Sequence, residues 1–133
     1  MTVIRGSIDK VKEVLKKGYE EPIVQTTRGY SLNTGALGAG IHTYALPAIA
    51  LGTLGYVKRF SISTNDGTAV HTVQLRRTTI DGNVWDFHVS YFYRNYEWEL
   101  GDIPIYPVGT WSVIITNNAA GAIFAVNVYW IES

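Results

Sequence analysis

Glu97 and Glu99 stand two residues apart in the stretch SYFYRNYEWEL. On a β-strand, alternate side chains share a face, and these two would have Cα atoms about 6.6–7 Å apart. Paired carboxylates at such separations carry out glycoside hydrolysis. The same pair on an edge strand keeps that edge wet and unpaired with strangers. No supporting polar cluster surrounds the two glutamates in the sequence, so no catalytic residue is expected, and a hydrolase using Glu97 and Glu99 is the last of the alternatives. Three histidines, His42, His71 and His88, raise the question of a metal. A metal needs convergent ligands. His71 and His88 are predicted on opposite faces of one hairpin, and His42 has no visible partner, so no metal is expected. The chain has no cysteine, which excludes thiolate sites, disulfides and cysteine catalysis. No Gly-x-Ser-x-Gly nucleophile elbow is present. The segment NTGALGAG, Asn33 to Gly40, lacks the Gly-Lys-Ser/Thr ending of a phosphate-binding loop and reads as a connection. No cofactor is implied.

Aromatic residues offer a different kind of chemistry. Tyr91, Phe92, Tyr93, Tyr96 and Trp98 fall within eight residues. Consecutive residues of a strand point to opposite faces, so aromatics occupy both. A sheet with one wet face does not need that. The second face is covered by another part of the chain, meets another subunit, or forms a platform for a sugar ring. The residues expected at such a contact are Phe92, Tyr96, Trp98 and Tyr129, together with Ile8, Val11 and Leu15 near the start of the chain.

The elements that position these residues follow from periodicity. Ile8, Val11, Val14 and Leu15 recur at helical spacing, with Ser7 as a cap, Lys16 and Lys17 at the negative end and Gly18 to close. This amphipathic helix must pack its apolar stripe on something, either its own domain or a neighbouring copy. Residues 1–19 are therefore read as an N-terminal helical arm and 20–133 as a β domain. Beyond Gly18 the period changes to two. Strands are predicted at Pro22–Thr27, Ile41–Leu46, Tyr56–Thr64, Ala69–Thr78, Val84–Tyr93, Tyr96–Leu100, Trp111–Thr116 and Ile123–Ile131. Pro104 and Pro107 make Ile103–Val108 an edge or crossing segment.

Register decides which rings are hidden. A three-residue loop, Asp81-Gly82-Asn83, pairs Leu75 with Val89, Val73 with Tyr91, Arg77 with Phe87 and Thr79 with Trp85. It places Arg76 beside His88 and Gln74 beside Ser90 on the other face. Trp85, Phe87, Tyr91 and Tyr93 are then core, and Phe92 faces outward. Around NAAG, a four-residue loop pairs Ile115 with Phe124, Val113 with Val126 and Trp111 with Val128.

Eleven basic residues balance eleven acidic ones. No global field attracts nucleic acid, and Arg76 and Arg77 alternate across the sheet, so no basic face for nucleic acid is expected. Residues Gly29–Val57 carry no charge but hold six glycines, a proline and a histidine, which argues against a transmembrane span. The start of the sequence has no apolar h-region, so no secretory signal is read there.

The predicted fold is an all-β, two-sheet antiparallel sandwich with a short N-terminal helix. The alternating strands AVHTVQLRR, VWDFHVSYFYR, WSVIITN and AIFAVNVYWI behind a helical arm resemble the single jelly-roll domains of viral capsid and virion proteins. The resemblance covers about residues 20 to 133 and is architectural, without a shared motif. It implies self-assembly, hence a homo-oligomer and a virion location. The leading expectation is a non-enzymatic structural protein. The alternative is a carbohydrate-binding module whose partner is a glycan.

Overall fold

The computed structural model describes residues 25–99 and 103–133, and these are all β. The predicted helix and its residues Ile8, Val11 and Leu15 lie outside the described residues. Nine strands follow one another: β1 (Thr26–Ala36), β2 (Gly40–Ala45), β3 (Gly55–Thr64), β4 (His71–Thr78), β5 (Val84–Phe92), β6 (Asn95–Trp98), β7 (Ile103–Ile105), β8 (Thr110–Asn117) and β9 (Ile123–Glu132). One sheet has the order β1-β9-β3-β6, and β7 pairs with β3 beside the β6 position. The other has the order β2-β8-β4-β5. All pairings are antiparallel. This two-sheet order is the jelly-roll arrangement expected from the strand pattern.

Alternation builds the core. Phe124, Val126, Val128 and Trp130 of β9 and Val57, Phe60 and Ile62 of β3 point inward from one sheet. Val73 and Leu75 of β4 and Trp111, Val113 and Ile115 of β8 point inward from the other. In β3 the spacing lengthens from Val57 to Phe60 because the ladder to β9 shifts between Val57 and Arg59. A bulge there keeps both residues on the inner face. The Trp111 and Trp130 rings meet edge to face across the core at 5.0 Å. The proline-bearing segment forms the three-residue edge strand β7 on the first residues of β3.

Two register expectations are corrected. Leu75 lies level with His88, Val73 with Ser90 and His71 with Phe92. A bulge at Phe87 then moves the pairing on, so Thr78 meets Val84 and the loop spans 79–83. The predicted loop matched apolar against apolar across the hairpin, which presumes that the inner face of β5 is its apolar one. From His88 on, its inner residues are His88, Ser90 and Phe92; Phe87, at the bulge, still packs against the core as expected, whereas Trp85, Tyr91 and Tyr93 are exposed. His88 is accommodated because Trp98, arriving from β6 in the other sheet, stacks on it at 4.0 Å. The inversion puts Phe92 in the core and turns Tyr91, 76% exposed, toward solvent.

The second correction concerns β8 and β9. They belong to different sheets, and Asn118–Ala122 is an arch between them rather than a hairpin turn. The apolar residues matched in sequence face each other across the core instead of along a ladder. Hydrophobic matching is satisfied equally by either geometry. The glycine-rich segment also differs: Asn33 and Ala36 still pair with β9, through a bulge containing Gly35 at φ 68°, so the connection to β2 is short.

Candidate functional site

Glu97 extends from β6, and Glu99 follows directly after that strand. Arg59, on neighbouring β3, donates to Glu97 through its Nη2, and its Nε lies 3.7 Å from Glu99 Oε1. All three side chains are at least half exposed. One guanidinium thus holds both carboxylates at the surface, where such pairs contribute about 0–1 kcal/mol. Acid–base work requires two carboxyls in environments that drive their proton affinities apart. Here both carboxylates lie in the same exposed setting, against one cation. An open cavity of about 320 Å³ lies beside Gln25, Tyr56, Lys58, Ile131 and Ser133, and among the described residues Lys58 is its one charged side chain.

The histidines are corrected as well. His71 and His88 project from the same inner face, four residue pairs apart along the ladder. Each has separate partners. His71 is fully buried between Phe92 and Phe124, with ring centroids at 5.6 and 5.0 Å. The Asn118 backbone N–H donates to its Nδ1 at 3.1 Å, so the ring N–H is on Nε2 and donates to Asp66 at 2.9 Å. Asp66 also accepts from the Thr68 hydroxyl and from the Thr68 and Ala69 amides. With both ring nitrogens occupied by the fold, this Asp–His pair has no position free for a nucleophile. His88 Nε2 meets the Tyr96 hydroxyl at 2.8 Å, and His42 Nε2 meets the Gly38 carbonyl at 2.8 Å. Among the described residues no three His, Asp or Glu side chains come together as a metal site would require.

These contacts set a pH dependence. The Thr68 hydroxyl bond, seconded by His71 and the Thr68 and Ala69 amides, holds the Asp66 carboxyl down at about 2 from an ordinary 3.8. The Arg76 hydrogen bond likewise lowers Asp86. Groups lowered in the folded state stabilise it above their unfolded values and lose that contribution as pH falls through the folded ones. Burial lowers His88 below 6.5, so its neutral form favours folding above that pH and the benefit fades below it. Melting temperature should therefore decline in a first limb below about pH 6.5 and a steeper one from about pH 4 toward 2. Asp66→Asn should flatten the second limb. An unchanged acid limb in that variant would refute the assignment.

The outer face of the β2-β8-β4-β5 sheet is the surface the structure singles out. Its ladders align three rows. The first runs Ile41–Thr116–Thr72–Tyr91, the second Thr43–Ile114–Gln74–Val89, and the third Ala45–Ser112–Arg76–Asp86. Ile41 and Tyr91, at the two ends of the first row, are 72% and 76% exposed. Ile114 is buried at the centre of the face, although it lies outside the central core. The one cation and the one anion of the grid are spent on each other: Arg76 donates twice to Asp86, at 2.6 and 3.1 Å, and Gln74 adds a third bond. The opposite sheet presents a polar exterior, with Arg59 and the two glutamates at its edge and Ser31 bonded to Asn127 at 2.6 Å.

Of the residues expected at a contact, Phe92 and Trp98 are buried and Tyr96 is half-buried. They line the seam between the sheets, because β5 turns directly into β6 there. Tyr129 is exposed, on the polar sheet, with its ring over Gly29. Ile41, Val89 and Tyr91 were missed. Their exposure follows from the inverted β5 face and from β2 lying beside β8, a pairing of strands distant in sequence that local alternation does not encode.

No protein-family model and no curated protein matches the chain. Several solved structures are similar to it at low identity. A chain from Bacillus endospore appendages, described as a novel family of disulfide-linked pili, is 9% identical, covers 82% of this chain and 87% of its own, and has a TM-score of 0.49. The family 11 carbohydrate-binding module from Clostridium thermocellum, solved with a β-1,3-1,4-mixed-linked tetrasaccharide, is 12% identical over 84% of this chain and 91% of its own, TM-score 0.41. A chain of infectious bursal disease virus, Gx strain, is 11% identical over 80% of this chain but 31% of its own, TM-score 0.38. A viral chain is thus one of the structures it is similar to, with no motif in common. At this level the likeness says nothing of what this chain binds.

Proposed function

We propose that the chain is a structural, self-associating protein without catalytic activity, and that it associates through its four-stranded sheet. The observation that supports this is the outer face of that sheet. Among the described residues it presents Ile41, Val89 and Tyr91 to solvent, and its one cation and one anion, Arg76 and Asp86, neutralise each other. Burying a ring such as Tyr91 against another copy contributes on the order of 2–3 kcal/mol. The resemblance of the strand pattern to virion proteins puts a virus particle first among the assemblies to examine. Ile8, Val11 and Leu15 are proposed to add an arm that docks on a neighbour, and truncation of Met1–Gly18 measures its share.

Light scattering across a concentration series tests the proposal. The parent should exceed monomer mass, and Tyr91→Lys should weaken association about 30-fold or more. A parent that stays monomeric throughout would end this reading.

A second reading, a glycan-binding surface, is supported by the first row itself. Tyr91 stands out from the sheet, with Thr72 next to it in the row and Thr116 one strand further along. An apolar ring flanked by hydrogen-bonding groups suits the face of a sugar. A glycan screen that is silent by tyrosine and tryptophan fluorescence rules this reading out.

A further inference from the structure

The two sheets treat their edges differently. The β1-β9-β3 sheet is guarded: β7 carries Pro104, β6 carries Glu97 held by Arg59, and β1 carries Arg28 and a bulge. Proline, charge and bulges are the devices by which proteins stop strangers pairing with an open edge. The other sheet has fewer of them. Its edge strand β2, GIHTYA, has no charge and no proline. Its edge strand β5 has one charge, Asp86, which Arg76 occupies, and its bulge lies at Phe87, leaving His88–Phe92 regular. Among the described residues each of these strands pairs on one side only.

The two open edges also complement each other. Four strands alternate in direction across this sheet, so β2 and β5 run oppositely. Placing β5 of one molecule beside β2 of the next continues the antiparallel alternation. The rows set the register. Ile41 and Tyr91 end one row, and Thr43 and Val89 end the next. Continued in line, Tyr91 meets Ile41 of the neighbour and Val89 meets its Thr43, and the exposed apolar residues at the two ends of the row become cross-strand partners. Building on the self-association proposed above, we infer that its occupant is a second copy of this chain, added head to tail with its β2 edge on the β5 edge of the first. Such a contact is heterologous. Each added copy leaves a fresh β5 edge, so growth proceeds as an open fibre or, with enough rotation per step, closes into a ring.

The experiment blocks each edge separately. Ile41→Lys with Thr43→Lys disables β2, and Val89→Lys with Tyr91→Lys disables β5. All four positions are exposed, and far-UV circular dichroism checks that both variants fold. Each variant alone should remain at monomer mass by light scattering. An equimolar mixture should reach twice that mass and stop, because each partner retains one intact edge. If the parent associates but either variant still does so alone, the edge contact is wrong while self-association stands. A mixture that stays monomeric overturns the inference. A parent monomeric at every concentration fails both. Should a variant not fold, hydrogen exchange on the parent decides: β2 and β5 amides slow together as concentration rises, and unchanged exchange in either strand overturns the inference.

Discussion

Trp130→Ala is expected to cost about 3–5 kcal/mol of folding stability, a large share of the roughly 5–15 kcal/mol typical of a domain. Trp130 is fully buried near the end of β9, and its ring meets Trp111 of the opposite sheet edge to face at 5.0 Å. That contact joins the two layers where the Pro47–Leu54 loop closes over them: Trp111 Nε1 donates to the Pro47 carbonyl at 2.6 Å. Removing the indole leaves a cavity that β strands on both sides cannot collapse into without losing ladder bonds. It also removes a donor from a buried carboxylate. Trp130 Nε1 donates to Glu132 Oε1 at 3.2 Å, and the same oxygen accepts the Ala50 amide at 3.3 Å, with Arg28 3.5 Å from the other oxygen. Trp130→Phe keeps one ring in the contact and loses the donor and part of the volume, so its cost should be about 1–3 kcal/mol. Urea denaturation compares the two. A loss under about 1 kcal/mol for the alanine variant would show that the interlayer contact is not what holds this end together.

His71→Ala should be of similar size, about 3–5 kcal/mol, for a different reason. Its ring fills the space between Phe92 and Phe124, so part of the cost is packing. The other part is polar. The ring ties the Asp66 loop, which precedes β4, to the Asn118 arch, which carries the chain from β8 to β9. Without it, the Asn118 amide loses its acceptor, and Asp66 Oδ2 keeps the Ala69 amide but loses the ring N–H, at the end of the sandwich where the sheets are joined. Phe in place of His restores much of the packing and none of the bonds. It therefore reads the polar part alone, which should be about 2–3 kcal/mol. If His71→Phe proves as stable as the parent by urea denaturation, His71 acts only as a space filler and the proposed tie between loop and arch is wrong.

Much of this architecture was legible in the residues. Alternation in AVHTVQLRR and AIFAVNVYWI marks strands because a pleated backbone can bury only every second side chain. The proline spacing at Pro104 and Pro107 marks an edge because proline cannot donate to a ladder. The balance of charge and the missing cysteine bound the chemistry without reference to any fold. Glu97 and Glu99 could be read as a pair from their spacing, but the guanidinium that joins them comes from Arg59, on a strand nearly forty residues away.

What sequence alone determined was which residues want to be dry and which segments extend, since both depend on local side-chain chemistry and backbone period. Which dry residue meets which was decided only in three dimensions. Leu75 beside Val89 and Leu75 beside His88 are both locally sensible, and Trp98 and Phe124, from the opposite sheet, make the second one better. The same holds for Ile115 and Phe124, which attract each other equally well along a ladder or across a core. Apolar attraction has no direction, so it selects neither sheet partner nor register. The contacts that do have direction come from strands distant in the chain, and they turned Tyr91 outward.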